Sequence, residues 1–261
     1  MPASPIWSID SSLWPVLTGY LCVAARIGGA LLLVPIPGLR SAPAPARIVL
    51  LMAFSVAAYP LLGPHFVPPS SWSAFLVLLA AEMAVGIGAG ALVGLLNEVF
   101  SFAMQSLAMQ AGYAYASSID PNTQADSGIL PVIAQLASNL LFFSLGFHLL
   151  VLRAFALSLE RVPPGAVLLT QADAAVIIQT SAAMLEFGLR LALPVMGVLL
   201  LTDLTLALLG RIQPNLQLLT LIFPVKMLGA LLMLAMLTPI LPRLYRSAGE
   251  LTMEALMKVL K

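Results

Sequence analysis

AFLVLLAAEMAVGIGAGALVGLLNEVFSFAMQSLAMQ, residues 74–110, decides the fold class. Its charges are Glu82 and Glu98, and the rest is apolar, small or uncharged. About 20 such residues in a helix cross a bilayer core roughly 30 Å thick, so this run is long enough to span. Within it Gly86, Gly90 and Gly94 recur every fourth residue, with Ala84 and Gly88 nearby. Small residues at that spacing let two helix backbones approach closely. The stripe therefore predicts a helix packed against protein rather than lipid. It says nothing about catalysis.

Outward from this run, similar apolar stretches recur at 13–34, 47–62, 129–159, 174–210 and 217–246. Together with 74–110 they predict an all-α protein of about six long helices, the second being marginal for a span. Composition agrees: 61% of the 261 residues are hydrophobic and 9% are charged, against about 25% charged in a soluble domain. A soluble globular chain and a disordered one are both excluded. The formal net charge of +1 leaves no bulk field for gripping nucleic acid. One helical domain is expected over residues 1–246. A short polar, amphipathic tail is expected over 247–261, with Leu251, Leu256, Met257 and Leu260 as its apolar stripe.

The breaks between runs are strongly punctuated. Pro35, Pro37, Pro43 and Pro45 crowd the first; Pro64, Pro68 and Pro69 mark the second. The third runs from Gln110 to Gly128 through Asp120-Pro121-Asn122. The fourth passes Pro163-Pro164-Gly165, and the fifth is the turn Gly210-Arg211-Ile212-Gln213-Pro214-Asn215. No repeat and no cleavable signal peptide is expected, the first basic residue being Arg26. Six spans put the termini on one side, with Arg161, Arg243, Arg246, Lys258 and Lys261. Counted that way, the positive-inside rule mildly favours cytoplasmic termini.

Enzyme signatures are missing. There is no His-Glu-x-x-His, Gly-x-Ser-x-Gly or P-loop, and His65 and His148 fall in different segments. Cys22 stands alone, so no disulfide and no cysteine metal site follows. No catalytic residue, cofactor or metal is expected. Charges inside apolar runs are costly and mark function or pairing. Those here are Arg26, Glu82, Glu98, Arg153, Glu186, Arg190, Asp203 and Lys226. Glu186 and Arg190 are four residues apart and can pair along one face. Asp203 and Lys226 lie about equally far from the turn near Pro214. An antiparallel hairpin would bring them to one depth and let them pair. Both pairs are expected to be buried, neutralising charge within protein. The sharper alternative is a secondary transporter using Glu82, Asp203 or Lys226; a third is a structural membrane scaffold.

The stretch from Met104 to Ser118 is small, weakly polar and uncharged. It suits irregular backbone folded into a pore or vestibule, which membrane depth tolerates only when protein or a cavity surrounds it. An ordinary solvent loop fits the residues equally well.

These pieces, in order, resemble the FliR family of flagellar export proteins, whose virulence-secretion relatives form the SctT type. The likeness runs from about Leu13 to Tyr245. It rests on Arg26, the Pro35–Arg40–Pro43–Arg47 loop, the glycine stripe and Gln110-Ala111-Gly112 leading to Asp120-Pro121. It continues through Gly146-Phe147-His148 and Pro163 to the turn at Gly210, followed by Phe223-Pro224-Val225-Lys226. Asn215 stands where the family usually has glutamine, and Phe147 where glycine is commoner.

The resemblance implies a non-enzymatic subunit of the type III export gate in the bacterial inner membrane. One copy would assemble with several copies each of FliP and FliQ into a helical channel for unfolded flagellar subunits. Much of that assembly would stand toward the periplasm, in contact with partners as well as lipid. Gln105, Met109, Gln110, Ala111, Gly112, Tyr113, Ala114, Tyr115, Ala116, Ser117 and Ser118 match the plug that closes the resting pore. Gly210, Arg211, Gln213, Pro214 and Asn215 match the cytoplasmic base, where FlhB would be met. That orientation places the termini outside, against the charge count. The Gly146–His148 segment and Pro163 favour the flagellar over the virulence system.

Overall fold

The computed structural model describes residues 13–36, 42–62, 66–113, 129–165, 170–212 and 218–260. Among the described residues there are eight α-helices and no strand. They are α1 (Leu13–Leu31), α2 (Ala44–Ala58, continued by a 3-10 turn, Tyr59–Leu62), α3 (Trp72–Ala111) and α4 (Ile129–Ser144). After these come α5 (Phe147–Arg161), α6 (Gln171–Ile212), α7 (Leu218–Leu237) and α8 (Leu241–Val259). Among the described residues four helices are long and apolar enough to cross a membrane: α1, α2 with its turn, α3 and α6. There are six spans if α4–α5 and α7–α8 each count as one bent span.

Helix ends follow local chemistry. The Ser71 hydroxyl accepts the Ala74 N–H at 3.2 Å and caps α3. Thr170 and Asp173 form a reciprocal cap on α6: the Asp173 carboxylate accepts the Thr170 N–H at 2.8 Å, and the Thr170 hydroxyl accepts the Asp173 N–H at 3.3 Å. Gly112, at φ +87°, ends α3 in the left-handed region.

Two expected helices are each broken once. The run 129–159 divides at Gly146, whose φ of +78° ends α4 and starts α5. The run 217–246 divides at Pro239, which has no N–H to continue the ladder. There the Ile240 N–H takes the Leu237 carbonyl at 3.0 Å instead. Pro194 and Pro224 stay inside α6 and α7, as membrane helices tolerate.

The chain divides into two compact units, each gathered from separate segments. Unit 1 comprises 1–94, 146–180 and 251–261, and unit 2 comprises 95–145 and 181–250. In unit 1, α1 and α3 meet backbone to backbone. A Cβ at Gly90 would sit 2.6 Å from the Ala30 carbonyl oxygen, one at Gly94 2.7 Å from that of Leu33, and one at Gly86 would collide with that of Arg26. Gly29 answers from α1, 2.5 Å from the Met83 carbonyl oxygen. A second cluster joins Val23, Leu62 and Leu159, with Ile27, Tyr59 and Phe66 around it.

The C-terminal segment corrects the sequence expectation. The boundary at 246/247 falls inside α8, and the segment is packed rather than a detached tail. Ala255 and Val259 lie on Leu92, flanked by Val176 and Ile177, all in unit 1. Leu256 and Leu260 are buried as the stripe requires, but Leu251 and Met257 are exposed. The buried face runs instead through Ala248, Thr252, Ala255 and Val259. Small side chains at this spacing give the closer contact. In unit 2, Gly188 of α6 brings its backbone against Val99 of α3, and the Phe100 and Tyr245 rings lie 5.0 Å apart.

Candidate functional site

Polar side chains in an apolar bundle gather where hydrogen bonds satisfy them. Among the described residues three such clusters stand out.

The first lies in unit 1. Arg26 of α1 and Glu82 of α3 pair at 2.6 Å, Nε to Oε2, with both side chains 0% exposed. The Arg26 Nη1 donates to Ser158 Oγ of α5 at 2.8 Å and to the Val162 carbonyl at 3.3 Å. Glu82 Oε1 accepts the Gly165 N–H at 3.0 Å. One ion pair thus ties α1, α3, α5 and the turn beyond α5. The sequence marks both residues as membrane charges but does not join them. The glycine stripe held the missing clue, since Gly86 lies one turn from Glu82 and touches the Arg26 backbone.

The second cluster, in unit 2, carries no charge and sequence reasoning missed it. Asn97 Oδ1 accepts from Ser138 Oγ at 2.5 Å and from the Tyr245 hydroxyl at 2.7 Å. Asn97 Nδ2 donates to Asn139 Oδ1. α3, α4 and α8 are thereby held in register. Asn97→Leu removes the acceptor that two hydroxyls share inside the unit and is expected to lower stability by about 1–3 kcal/mol. Ser138→Ala, which removes one donor and leaves Asn97 its Tyr245 partner, should cost less. Thermal unfolding of the tagged chain in mild detergent compares them, and equal melting of Asn97→Leu and the parent would refute the register role.

The third cluster joins expected site residues. Asp203 of α6 and Lys226 of α7 meet at 2.8 Å through Oδ1 and 3.0 Å through Oδ2. Asp203 also accepts from Gln110 Nε2, in the last turn of α3, at 3.3 Å. The Tyr113 hydroxyl donates to the Met227 carbonyl at 3.0 Å. The Asp203 side chain is 39% exposed and that of Lys226 11%, so this pair is half-buried rather than enclosed.

Two expectations need correction. Glu186 and Arg190 do pair, at 2.5 Å, but their side chains are 62% and 74% exposed. The face of α6 that carries them points away from the packed side of the chain. Irregular backbone was expected from Met104, yet Gln105, Met109, Gln110 and Ala111 complete α3. Small residues and uncharged glutamines sustain that helix, and only Gly112 turns the chain. Gly112 and Tyr113 follow the helix, while Ala114, Tyr115, Ala116, Ser117 and Ser118 lie outside the described residues. Gly210 and Arg211 end α6; Gln213, Pro214 and Asn215 also lie outside the described residues.

Four candidate spans, or six with the bent pairs, are held together among the described residues by a backbone-tight α1–α3 pair and by these polar ties. Residues 17–251 match the family model described as bacterial export proteins, family 1. The chain belongs to this family. Among relatives of this export family, the flagellar biosynthetic protein FliR of Escherichia coli (strain K12) is 29% identical over 230 residues, covering 87% of this chain and 84% of the relative. The protein of that name from Bacillus subtilis (strain 168) is 24% identical over 255 residues, covering 96% and 97%. That from Caulobacter vibrioides is 25% identical over 215 residues, covering 82% and 86%. The family match spans parts of both units, so the two belong to one export protein.

Proposed function

We propose that the chain is a non-enzymatic subunit of the flagellar type III export gate in the bacterial inner membrane. FliP and FliQ complete the channel with it, FlhB meets its cytoplasmic base near Gly210, and unfolded flagellar subunits pass through. The observation that carries this reading is helix length set against exposure. α3 has 40 residues and α6 has 42. At 1.5 Å per residue each measures about 60 Å along its axis. A bilayer core about 30 Å thick covers at most about 39 Å of a helix tilted by 40°. Exposed apolar side chains nevertheless extend along α6 from Ile178 through Leu189, Leu200 and Leu208 to Ile212, about 50 Å. Lipid covers part of that length, and protein partners cover the rest. The family match and the relatives' printed name support a flagellar export assembly as the source of those partners.

The stretch Gln105–Ser118 serves as the plug of the resting pore. Met104 and Met109 flank its root with pliable thioethers that fill irregular gaps. An uncharged plug makes few strong contacts, so an arriving chain displaces it at modest cost.

Gentle solubilisation of a tagged copy from native membranes tests the assembly. A particle far heavier than the 27.5 kDa chain, with two small hydrophobic proteins in excess over one copy, is expected. A monomer or bare homodimer would instead favour a secondary transporter. Deleting Ala111 to Ser117 tests the plug. Idle leakage of ions or small solutes should rise, and unchanged leakage would remove the plug assignment.

A further inference from the structure

Gln110 and Tyr113 stand at the C-terminal end of α3, where the chain leaves the helix through Gly112. Both are tied to the α6–α7 pair within unit 2. Gln110 Nε2 donates to Asp203 at 3.3 Å, and the Tyr113 hydroxyl donates to the Met227 carbonyl at 3.0 Å. Lys226 and Met227 are neighbours in α7, so the Tyr113 bond and the Lys226–Asp203 pair that receives Gln110 meet at one turn of that helix. Lys226 holds both Asp203 oxygens, which fixes the carboxylate toward Gln110. Burial pushes the Tyr113 phenol above its ordinary range, so it remains a donor near neutral pH.

The contrast with Arg26 and Glu82 gives the cluster its meaning. That pair is sealed from solvent, with bonds to three further groups, the Ser158 hydroxyl, the Val162 carbonyl and the Gly165 N–H. Asp203 is 39% exposed and holds Gln110 by a single bond. A hydrogen bond to a charged acceptor is strong enough to fix a resting conformation. An accessible carboxylate can also exchange that bond for water without stranding a buried charge. Such a tie holds and lets go.

We propose that Asp203, set by Lys226, is a releasable anchor for the end of α3, and that Gln110 and Tyr113 must detach from α6 and α7 before the plug root moves. This rests on the plug reading above. Asp203 and Lys226 are positioning residues, acting on the pore through Gln110.

The test uses the assembled complex in native membranes, with idle leakage of potassium as the readout and recovery of the tagged particle as the control for assembly. Gln110→Ala, Asp203→Ala and Tyr113→Phe should each raise idle leakage, the first two by about ten-fold. The double variant Gln110→Ala/Asp203→Ala should leak no more than either single one, because both remove the same bond. Asp203→Asn/Lys226→Met keeps an acceptor for Gln110 without an unpaired charge, and should restore near-parental tightness. If Asp203→Ala fails to assemble, Gln110→Ala and Tyr113→Phe carry the test, since each removes only the anchored group. Parental leakage in those two variants, while deletion of Ala111 to Ser117 leaks, overturns the anchor and leaves the plug standing. If the deletion itself does not leak, the plug and its anchor fall together.

Discussion

Glu82→Ala is expected to be the most damaging single substitution in the chain. It leaves the Arg26 guanidinium at 0% exposure without its counter-charge, and the Gly165 N–H without its acceptor. Breaking a buried pair by removing one partner costs about 3–5 kcal/mol, a large part of the roughly 5–15 kcal/mol that keeps a domain folded. The tagged chain should fall to a small fraction of its parental level in membranes and melt well below the parent in mild detergent. Arg26→Met/Glu82→Met removes both charges at similar volume and should recover much of that loss. Recovery stays partial, because the Ser158 hydroxyl and the Val162 carbonyl lose the Arg26 donor. A Glu82→Ala chain that accumulates and melts like the parent would show that the pair does not hold α1 to α3.

The second large effect is expected at the glycine stripe. A Cβ at Gly86 collides with the Arg26 carbonyl oxygen, and one at Gly90 meets that of Ala30 at 2.6 Å. Backbone cannot swing aside as a side chain can, so α1 and α3 must separate. Overpacking of this kind costs about 1–3 kcal/mol and here also lengthens the Arg26–Glu82 pair. Gly86→Leu should therefore melt well below the parent, and Gly86→Ala should lower the melting temperature by less. Gly197 and Gly229 are the controls, because nothing lies within 4 Å of a Cβ built at either. Alanine there should stabilise by up to about 1 kcal/mol through helix propensity. If Gly86→Ala and Gly197→Ala shift the melting temperature in the same direction, close α1–α3 approach is not what the stripe is for.

The sequence carries the long helices plainly, because an apolar run with glycines every fourth residue has only one economical reading. It carries the meeting of Asp203 and Lys226 as well, since equal distance from a turn is a geometric statement. Arg26 and Glu82 resist such reading because they lie 56 positions apart, on helices whose neighbours are set by tertiary packing. Asn97 is hidden more deeply: it has no charge and sits within an apolar run, so nothing in composition marks it. The break at Gly146 was ambiguous, since a lone glycine is tolerated within a helix and decides nothing until its φ is known. Burial of Glu186 and Arg190 was misjudged because four-residue spacing pairs two side chains without saying which way the helix is turned. In α8 the large apolar residues drew attention, whereas the packed face is made by Ala248, Thr252 and Ala255.

The threading of unit 1 has a consequence for how the protein is made. Residues 1–94 leave the ribosome first, yet Leu92 finds its partners Ala255 and Val259 only in the segment beginning at Leu251. At about 5–20 residues per second, some 8–30 seconds of elongation separate the two. Through that interval the earliest helices stand in the membrane with part of their mating surface bare. A ribosome that stalls in α7 would release a chain whose first half is fully translated and still unfinished, recognisable to quality-control proteases by the contact α8 never came to make.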